Sequence, residues 1–262
     1  MLKIAVCVKQ VPAEKKLVSN RDGNLDREGM AGCVNMYDYA AVETALKLRD
    51  AAGGVVDAFT MGPIQAEQTL REMLALGADR GILISDKAFS GADVLATSYT
   101  LSCAIQCMDT YDLILCGQKT TDGDTGQVGG ELAVHMNNSY IAGVVGVEYM
   151  SDQYLKIVFE TDEKKYEVMA AMPIVLTVDP RLSTVRIPSL ADRLRSKKKE
   201  IINYGLDDFQ IDKMRVGKSG SATKVVKLLS KEENQEKNIC VMDAFEAIDF
   251  IENRKDLWIK SF

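Results

Sequence analysis

Short apolar runs alternate with longer stretches of helical spacing over the first half of the chain. Lys3-Ile4-Ala5-Val6-Cys7-Val8-Lys9 is an apolar run with polar ends and reads as a buried strand. Residues 12–34 carry Pro, Asn, Asp and Gly, and Asp22-Gly23 suits the turn of a small hairpin. Asp38 precedes a helix over Tyr39–Leu48, which Gly53-Gly54 ends. The unit then recurs. Val55–Met61 reads as a strand, Gly62-Pro63 as a turn, and Ile64–Leu76 as an amphipathic helix stopped at Gly77. Gly81–Ser85 is a third strand, and Ser90-Gly91-Ala92-Asp93 opens a helix from Val94 to about Met108. Asp112–Cys116 is a fourth strand, Gly117–Gly126 a polar loop, and Gln127–Met136 a helix. Strands separated by helices of this length require a parallel sheet with right-handed crossovers.

The pattern changes after residue 140. Val144–Met150, Tyr154–Glu160 and Tyr166–Ala171 are separated by short polar turns that suit antiparallel hairpins. Pro173–Val178 reads as one more buried strand, Leu190–Lys199 as a short helix with a basic end, and Asp243–Asn253 as an amphipathic helix. Residues 203–223 show little periodicity and read as an extended arm. The fold class is therefore α/β: a doubly wound, mostly parallel sheet with an antiparallel addition and an extended C-terminal arm. The expected division is a nucleotide-binding domain over 1–200 and an arm and helix over 201–262 that wrap a partner chain.

The 262 residues are 47% hydrophobic and 27% charged, ordinary for a globular chain, with net charge −6 and mean hydropathy −0.07. The acidic balance argues against a nucleic-acid partner. Apolar runs stay well below the ~20 residues that span a bilayer, so no membrane insertion is expected. The first residues are too strand-like for a signal peptide. The six cysteines form no CxxC pair, and the single histidine is His135. A zinc or iron–sulfur site and a triad hydrolase are disfavoured, and the expected location is cytoplasmic. Cys103 and Cys107 share a helical face and are expected to pack in the core. His135, at a helix end, reads as a surface or capping residue.

Ligands of open parallel sheets bind beyond the carboxyl ends of the strands, where the strand order reverses. The unusual turn there is Gly117-Gln118-Lys119-Thr120-Thr121-Asp122-Gly123-Asp124-Thr125-Gly126-Gln127-Val128-Gly129-Gly130. Glycines let a backbone approach a ligand, and the helix that follows offers free N–H groups; a phosphate or pyrophosphate needs both. The plainer role is that Asp122 and Thr125 cap the helix. There is no GxxxxGK[ST] and no GxGxxG after the first strand. Ser90–Asp93 is, on residues alone, an ordinary helix start, and Asn35 a capping residue.

Several segments in one order resemble the β (small) subunit of electron transfer flavoproteins. They are Val6-Cys7-Val8-Lys9 with Val11, Asn35 before Tyr39-Ala40-Ala41-Val42-Glu43, Met61-Gly62-Pro63, and Leu76-Gly77-Ala78-Asp79-Arg80-Gly81. The Gly117–Gly129 loop and Met172-Pro173-Ile174-Val175 through Arg181-Leu182 to Lys197-Lys198-Lys199 complete the set. The resemblance implies a Rossmann-like, adenine-nucleotide-binding fold. It implies AMP in the housekeeping type and FAD in the electron-bifurcating type. Asp122-Gly123-Asp124-Thr125-Gly126-Gln127-Val128-Gly129 and Ser90–Ser98 resemble the bifurcating, FAD-binding type.

By that resemblance Cys7, Asn35 and Met61 hold the adenosine. Thr120, Asp122, Gly123, Thr125, Gly126, Gln127 and Val128 hold ribose and phosphates, and Asp93 and Thr97 lie toward the ribityl chain. The implied activity is electron transfer in a heterodimer with an α subunit. Hydride arrives from NADH, one electron passes to ferredoxin, and the other passes through a second FAD to an acyl-CoA dehydrogenase. The redox chemistry belongs to the flavin, so no acid, base or nucleophile is nominated here and no metal site is expected. Residues 184–199 resemble the family's recognition loop, with Leu190 as the apolar anchor and Arg193 and Arg195 on its polar rim. On residues alone this stretch is an amphipathic helix with a solvated basic end. The other readings left open are an AMP-holding, non-bifurcating subunit and a nucleotide-binding enzyme or sensor of similar fold.

Overall fold

The computed structural model describes residues 1–13, 32–224 and 243–252. The chain divides into two compact units, residues 1–228 and 229–262. In chain order the first carries β1 (Leu2–Cys7), β2 (Gln10–Pro12), β3 (Gly32–Val34), α1 (Asp38–Ala52), β4 (Gly54–Met61), α2 (Glu67–Leu76) and β5 (Arg80–Ile84). Then come α3 (Val94–Met108), β6 (Leu113–Gly117), α4 (Val128–Met136), β7 (Ser139–Tyr149), β8 (Tyr154–Glu160), β9 (Lys165–Ala171) and β10 (Ile174–Val178). Last are α5 (Leu190–Ser196), β11 (Ile201–Tyr204) and the single turn α6 (Gly217–Gly220). In the second unit α7 (Ala244–Glu252) is described, with Phe245, Ile248 and Phe250 exposed.

One nine-stranded sheet runs β11-β5-β4-β1-β6-β10-β7-β8-β9, and β2 pairs with β3 in a separate antiparallel ribbon. The pairs from β11 to β7 are parallel, and β8 and β9 continue antiparallel. This is the expected α/β class, doubly wound and mostly parallel with an antiparallel addition. The expected Asp22-Gly23 turn lies outside the described residues, although β2 and β3 on either side of it do pair.

Alternation along the central strands sends side chains to two layers. Ile4, Val6, Leu113, Leu115, Ile174 and Leu176 pack with α1 and α2 on one face. Ala5, Cys7, Ile114, Cys116 and Val175 pack with Leu101 and Ile105 of α3 and Leu132 of α4 on the other. Both faces are covered, so these strands carry almost no polar side chain. Burying each large apolar side chain contributes about 1.5–3 kcal/mol.

Local signals set the helix ends. Gly53 leaves α1 at φ +73° and its N–H reaches the Arg49 carbonyl. Asp93 caps α3 by accepting from the Ala96 N–H. Three stretches differ from expectation. Ile64–Leu76 is a one-turn 3-10 helix followed by α2. Residues 201–216, read as the start of an arm, pack on this chain's own sheet: β11 pairs with β5, and Phe209 and Val216 are buried beside Phe89. Four residues are too few for a period to show. Finally, Cys103 packs half-buried against the core as expected, but Cys107, one turn on, is exposed. Among the described residues no helix is long and apolar enough to cross a membrane.

Candidate functional site

The chain steps outward from β1 to β4 to β5, then α3 carries it back past β1 to β6 on the other side. The strand order therefore reverses between β1 and β6, and a crevice opens beyond their carboxyl ends. Cys7 and Cys116 are register partners at that edge. Both are buried, and the neighbouring Cys7 thiol together with burial pushes the Cys116 thiol far up. Cys7 is a small buried side chain at the carboxyl end of β1.

Asp38, in the first turn of α1, is the hub of the crevice. Its carboxylate accepts from the Lys9 N–H at 2.7 Å and from Asn35 Nδ2 at 2.9 Å. Burial raises its pKa to about 7 against the pull of these donors and of the Gly117 N–H. The packing here leaves no room at Gly117. A Cβ at that position would sit 2.3 Å from Asp38 Oδ1 and 2.7 Å from the Tyr37 carbonyl carbon.

Asn35 is 0% exposed and extends the frame to the loop after β6. Nδ2 also donates to the Lys119 carbonyl at 2.9 Å, and Oδ1 accepts from the Thr121 N–H at 3.2 Å. The plain capping role is not observed, because Tyr37 is the N-cap of α1 and makes no side-chain cap bond. Two ion pairs complete the loop. Lys9 Nζ meets both oxygens of Asp122 at 2.8 Å, and Lys119 Nζ meets Asp124 at 2.9 Å. Burial pushes the Asp122 pKa up, but the Lys9 ammonium together with the Thr120 hydroxyl and the Gly123 N–H holds the carboxyl low.

Asp122 and Thr125 do not cap α4. Its N-cap is Gln127, with no side-chain cap bond. Its first-turn N–H groups therefore have no capping side chain and present the positive end of the helix dipole at the loop. Gly126 turns the chain into that start at φ +62°, where a side chain would be strained. Thr120 is half-buried and residues 121–127 are exposed. A cleft of 390 Å³ opens beside this loop, lined by Lys119, Asp124, Thr125, Gly126, Tyr140 and Thr177 among others. That volume lies within the roughly 300–1,000 Å³ usual for ligand pockets.

The structure brings the sequence-predicted residues together unevenly. Asn35 is bonded directly to the loop that carries Thr120, Asp122, Gly123, Thr125, Gly126, Gln127 and Val128. Cys7 and Met61 stand at the carboxyl ends of β1 and β4. Asp93 has other partners: besides capping α3, it accepts from the Thr223 N–H at 2.9 Å and Oγ1 at 3.0 Å. Those backbone donors and that hydroxyl keep its pKa low although burial opposes them. Asp93 thus ties residues 221–223 to the helix start, and Thr97 lies one turn on, half-buried. His135 sits in the last turn of α4, edge-on to Tyr99 at 5.6 Å. Leu190, Arg193 and Arg195 are exposed on α5. Lys9, Asp38, Tyr140 and Thr177 belong to the site without having been nominated. A charged residue directly after a buried strand, as Lys9 is, was the one available signal.

Comparison with known proteins gives the family of the chain. Residues 22–208 match the family model described as "Electron transfer flavoprotein domain". The chain is 40% identical over 233 residues to an electron transfer flavoprotein subunit beta of Clostridium acetobutylicum, covering 88% of this chain and 89% of that one. It is 34% identical over 232 residues to subunit CarD of the caffeyl-CoA reductase-Etf complex of Acetobacterium woodii, covering 87% and 88%. It is 44% identical over 157 residues to the acryloyl-CoA reductase electron transfer subunit gamma of Anaerotignum propionicum, covering 59% of each chain. On these matches the chain belongs to the electron transfer flavoprotein family, as a beta subunit.

Proposed function

We propose that this chain is the FAD-holding β subunit of a cytoplasmic, heterodimeric electron transfer flavoprotein. It works with an α subunit, takes electrons from NADH, and delivers them by bifurcation to ferredoxin and to an acyl-CoA dehydrogenase or reductase. One observation carries the nucleotide part. The loop at 117–127 is fixed on one side by Asn35, while Asp124, Thr125 and Gly126 line the cleft and the start of α4 that follows has no capping side chain. Backbone N–H groups presented without a competing side chain suit a diphosphate. Gly123 fits that use: a Cβ there would meet just Thr120 Oγ1, at 3.5 Å, so nothing in the protein itself demands glycine. The space is available to a ligand.

The residues divide the work. Asn35 and Asp38 hold the loop against the ends of β1 and β6. The N–H groups of residues 125–128 would hold phosphates, since those of Gly123 and Asp124 already donate to Asp122 and Thr120 within the loop; Lys9 and Lys119, paired with Asp122 and Asp124, would offset the acidic charge beside them. Cys7 and Met61 would bound the adenosine. When bound, the flavin supplies the one- and two-electron chemistry, which no side chain of this protein can do. Two of the relatives are named as parts of CoA-ester reductase systems, which favours an acyl-CoA partner. Exposed Leu190 with Arg193 and Arg195 around it suits docking of that partner.

The test is the nucleotide content of the native heterodimer. Denaturation should release two FAD per heterodimer. One FAD with one AMP would replace this reading with the non-bifurcating one. Absence of any adenine nucleotide, or ATP consumption by the isolated chain, would end it.

A further inference from the structure

We infer that Arg71 and Arg186 are positioning residues that hold α5 as a preformed docking helix. Its partner is an acyl-CoA dehydrogenase with an apolar pocket inside an acidic rim. The inference rests on the docking reading above.

The segment over 183–199 is fixed at both ends and bare in the middle. At the front, Arg186 Nε and its backbone N–H donate to Glu43 Oε2 at 2.9 and 3.1 Å, and Nη2 reaches Asp50 at 3.2 Å. Glu43 is only 4% exposed, so this anchor sits inside the protein. Behind, Arg71 Nη1 donates to the carbonyls of Ser196, at 3.0 Å, and Lys199. Lys199 Nζ in turn donates to the Ala78 carbonyl at 2.6 Å. Glu67 holds the other side of the Arg71 fork.

Between the clamps the surface is apolar and exposed: Ile187 91%, Leu190 75% and Leu194 54%. The spacing of four puts Leu190 and Leu194 on one helical face. Arg193, Lys197 and Lys198 are exposed close by in the chain, and Arg195 is paired with Asp192, so the complementary surface is apolar at its centre and acidic at its edge.

The need for the clamps follows from length. α5 has seven residues, well under the ~12–15 that an isolated helix needs in water. The Ser189–Asp192 capping box secures its start. Past its end the Arg195 and Ser196 carbonyls accept from the Lys198 and Lys199 N–H groups, and Arg71 bonds the Ser196 and Lys199 carbonyls as well, which ties this turn to α2. The partner then meets a helix already ordered, which raises affinity without adding a contact.

The experiment uses the native heterodimer with a purified short-chain acyl-CoA dehydrogenase as probe. KM for the dehydrogenase, kcat, flavin content and the rate of tryptic cleavage within 193–199 are measured for R71A, R71K, R186A, L190A and R71A/L190A. R71A and R186A should each raise KM about tenfold, the ordering cost of about one or two side chains, with kcat and flavin content unchanged. R71A should also speed cleavage severalfold. R71K, which keeps the charge but not the fork, should fall between R71A and wild type. L190A should raise KM without changing cleavage, and R71A/L190A should match L190A alone, because no anchor is left to position. An unchanged KM in R71A beside a raised KM in L190A would overturn the clamp. So would full additivity in the double variant. An unchanged KM in L190A would overturn the docking reading itself. R186A keeps the clamp testable if R71A does not fold.

Discussion

Asn35→Ala removes the side chain that ties the loop after β6 to the start of α1. Three hydrogen bonds go with it: two donated by Nδ2, to Asp38 and to the Lys119 carbonyl, and one accepted from the Thr121 N–H. The bond to the Asp38 carboxylate is worth about 2 kcal/mol and the two neutral ones about 1 kcal/mol each. Water entering the space left by a side chain that is 0% exposed restores part of this, so the net loss is about 2–4 kcal/mol. Carried wholly by loop order, that weakens nucleotide binding by roughly 30- to 1,000-fold, at 1.4 kcal/mol per decade. A unit of this size moves about 2–4 °C in Tm per kcal/mol, so the melting point should fall by about 5–15 °C. The assay is adenine nucleotide retained by the heterodimer after dialysis, with Kd from rebinding and Tm from calorimetry. Asn35→Asp keeps the acceptor but sets a second carboxylate beside Asp38; at neutral pH and above it should be at least as damaging. A lowered Tm with wild-type nucleotide retention would refute the reasoning, for the frame would then support the fold and not the site.

Other outcomes follow from neighbouring residues. Asp38 has an ordinary carboxyl pKa near 3.8 when unfolded and about 7 when folded. The folded state therefore binds the extra proton between those values, and this group's contribution to stability is full below about pH 4 and lost by about pH 7. The Tm of wild type minus that of Asp38→Asn should fall as pH rises across that window and stay flat above it; parallel curves in calorimetry would contradict the assignment. Gly123→Ala should fold with unchanged Tm, because its Cβ meets an ordinary contact at 3.5 Å, yet lose nucleotide at least tenfold if phosphates crowd that spot. Gly117→Ala should instead fail to give soluble protein, since its Cβ would fall 2.3 Å from Asp38 Oδ1; expression trials with the released-nucleotide assay separate the two. Raising salt from about 0.05 to 0.5 M should increase KM for the dehydrogenase severalfold through screening of the basic rim around α5, with little change in nucleotide content; a salt-independent KM would remove the charged rim from the docking account.

Much of the architecture was legible along the chain because burial on two faces writes its period into neighbouring residues. Asp93 before Val94–Met108 and Gly53 after α1 marked helix ends, since capping and positive φ are local requirements. The apolar strands Leu113–Gly117 and Ile174–Val178 showed their central place by composition alone. The glycine-rich loop after β6 stood out because ordinary capping needs few of its residues. Other features had no local trace. Lys9 and Asp122 lie 113 residues apart, and Arg71 and the carbonyl it caps lie 125 apart. Asn35 looked like a cap and Asp38 like a helix start until the strand order set both against Gly117 and the loop. β11 was too short to show a period, so its place at the sheet edge depended on packing against β5. Local pattern determines which residues turn inward and where elements stop. Which distant groups then share a crevice is decided by strand order and crossover direction, because a hydrogen bond or ion pair depends on where atoms meet in space and leaves no period in the chain.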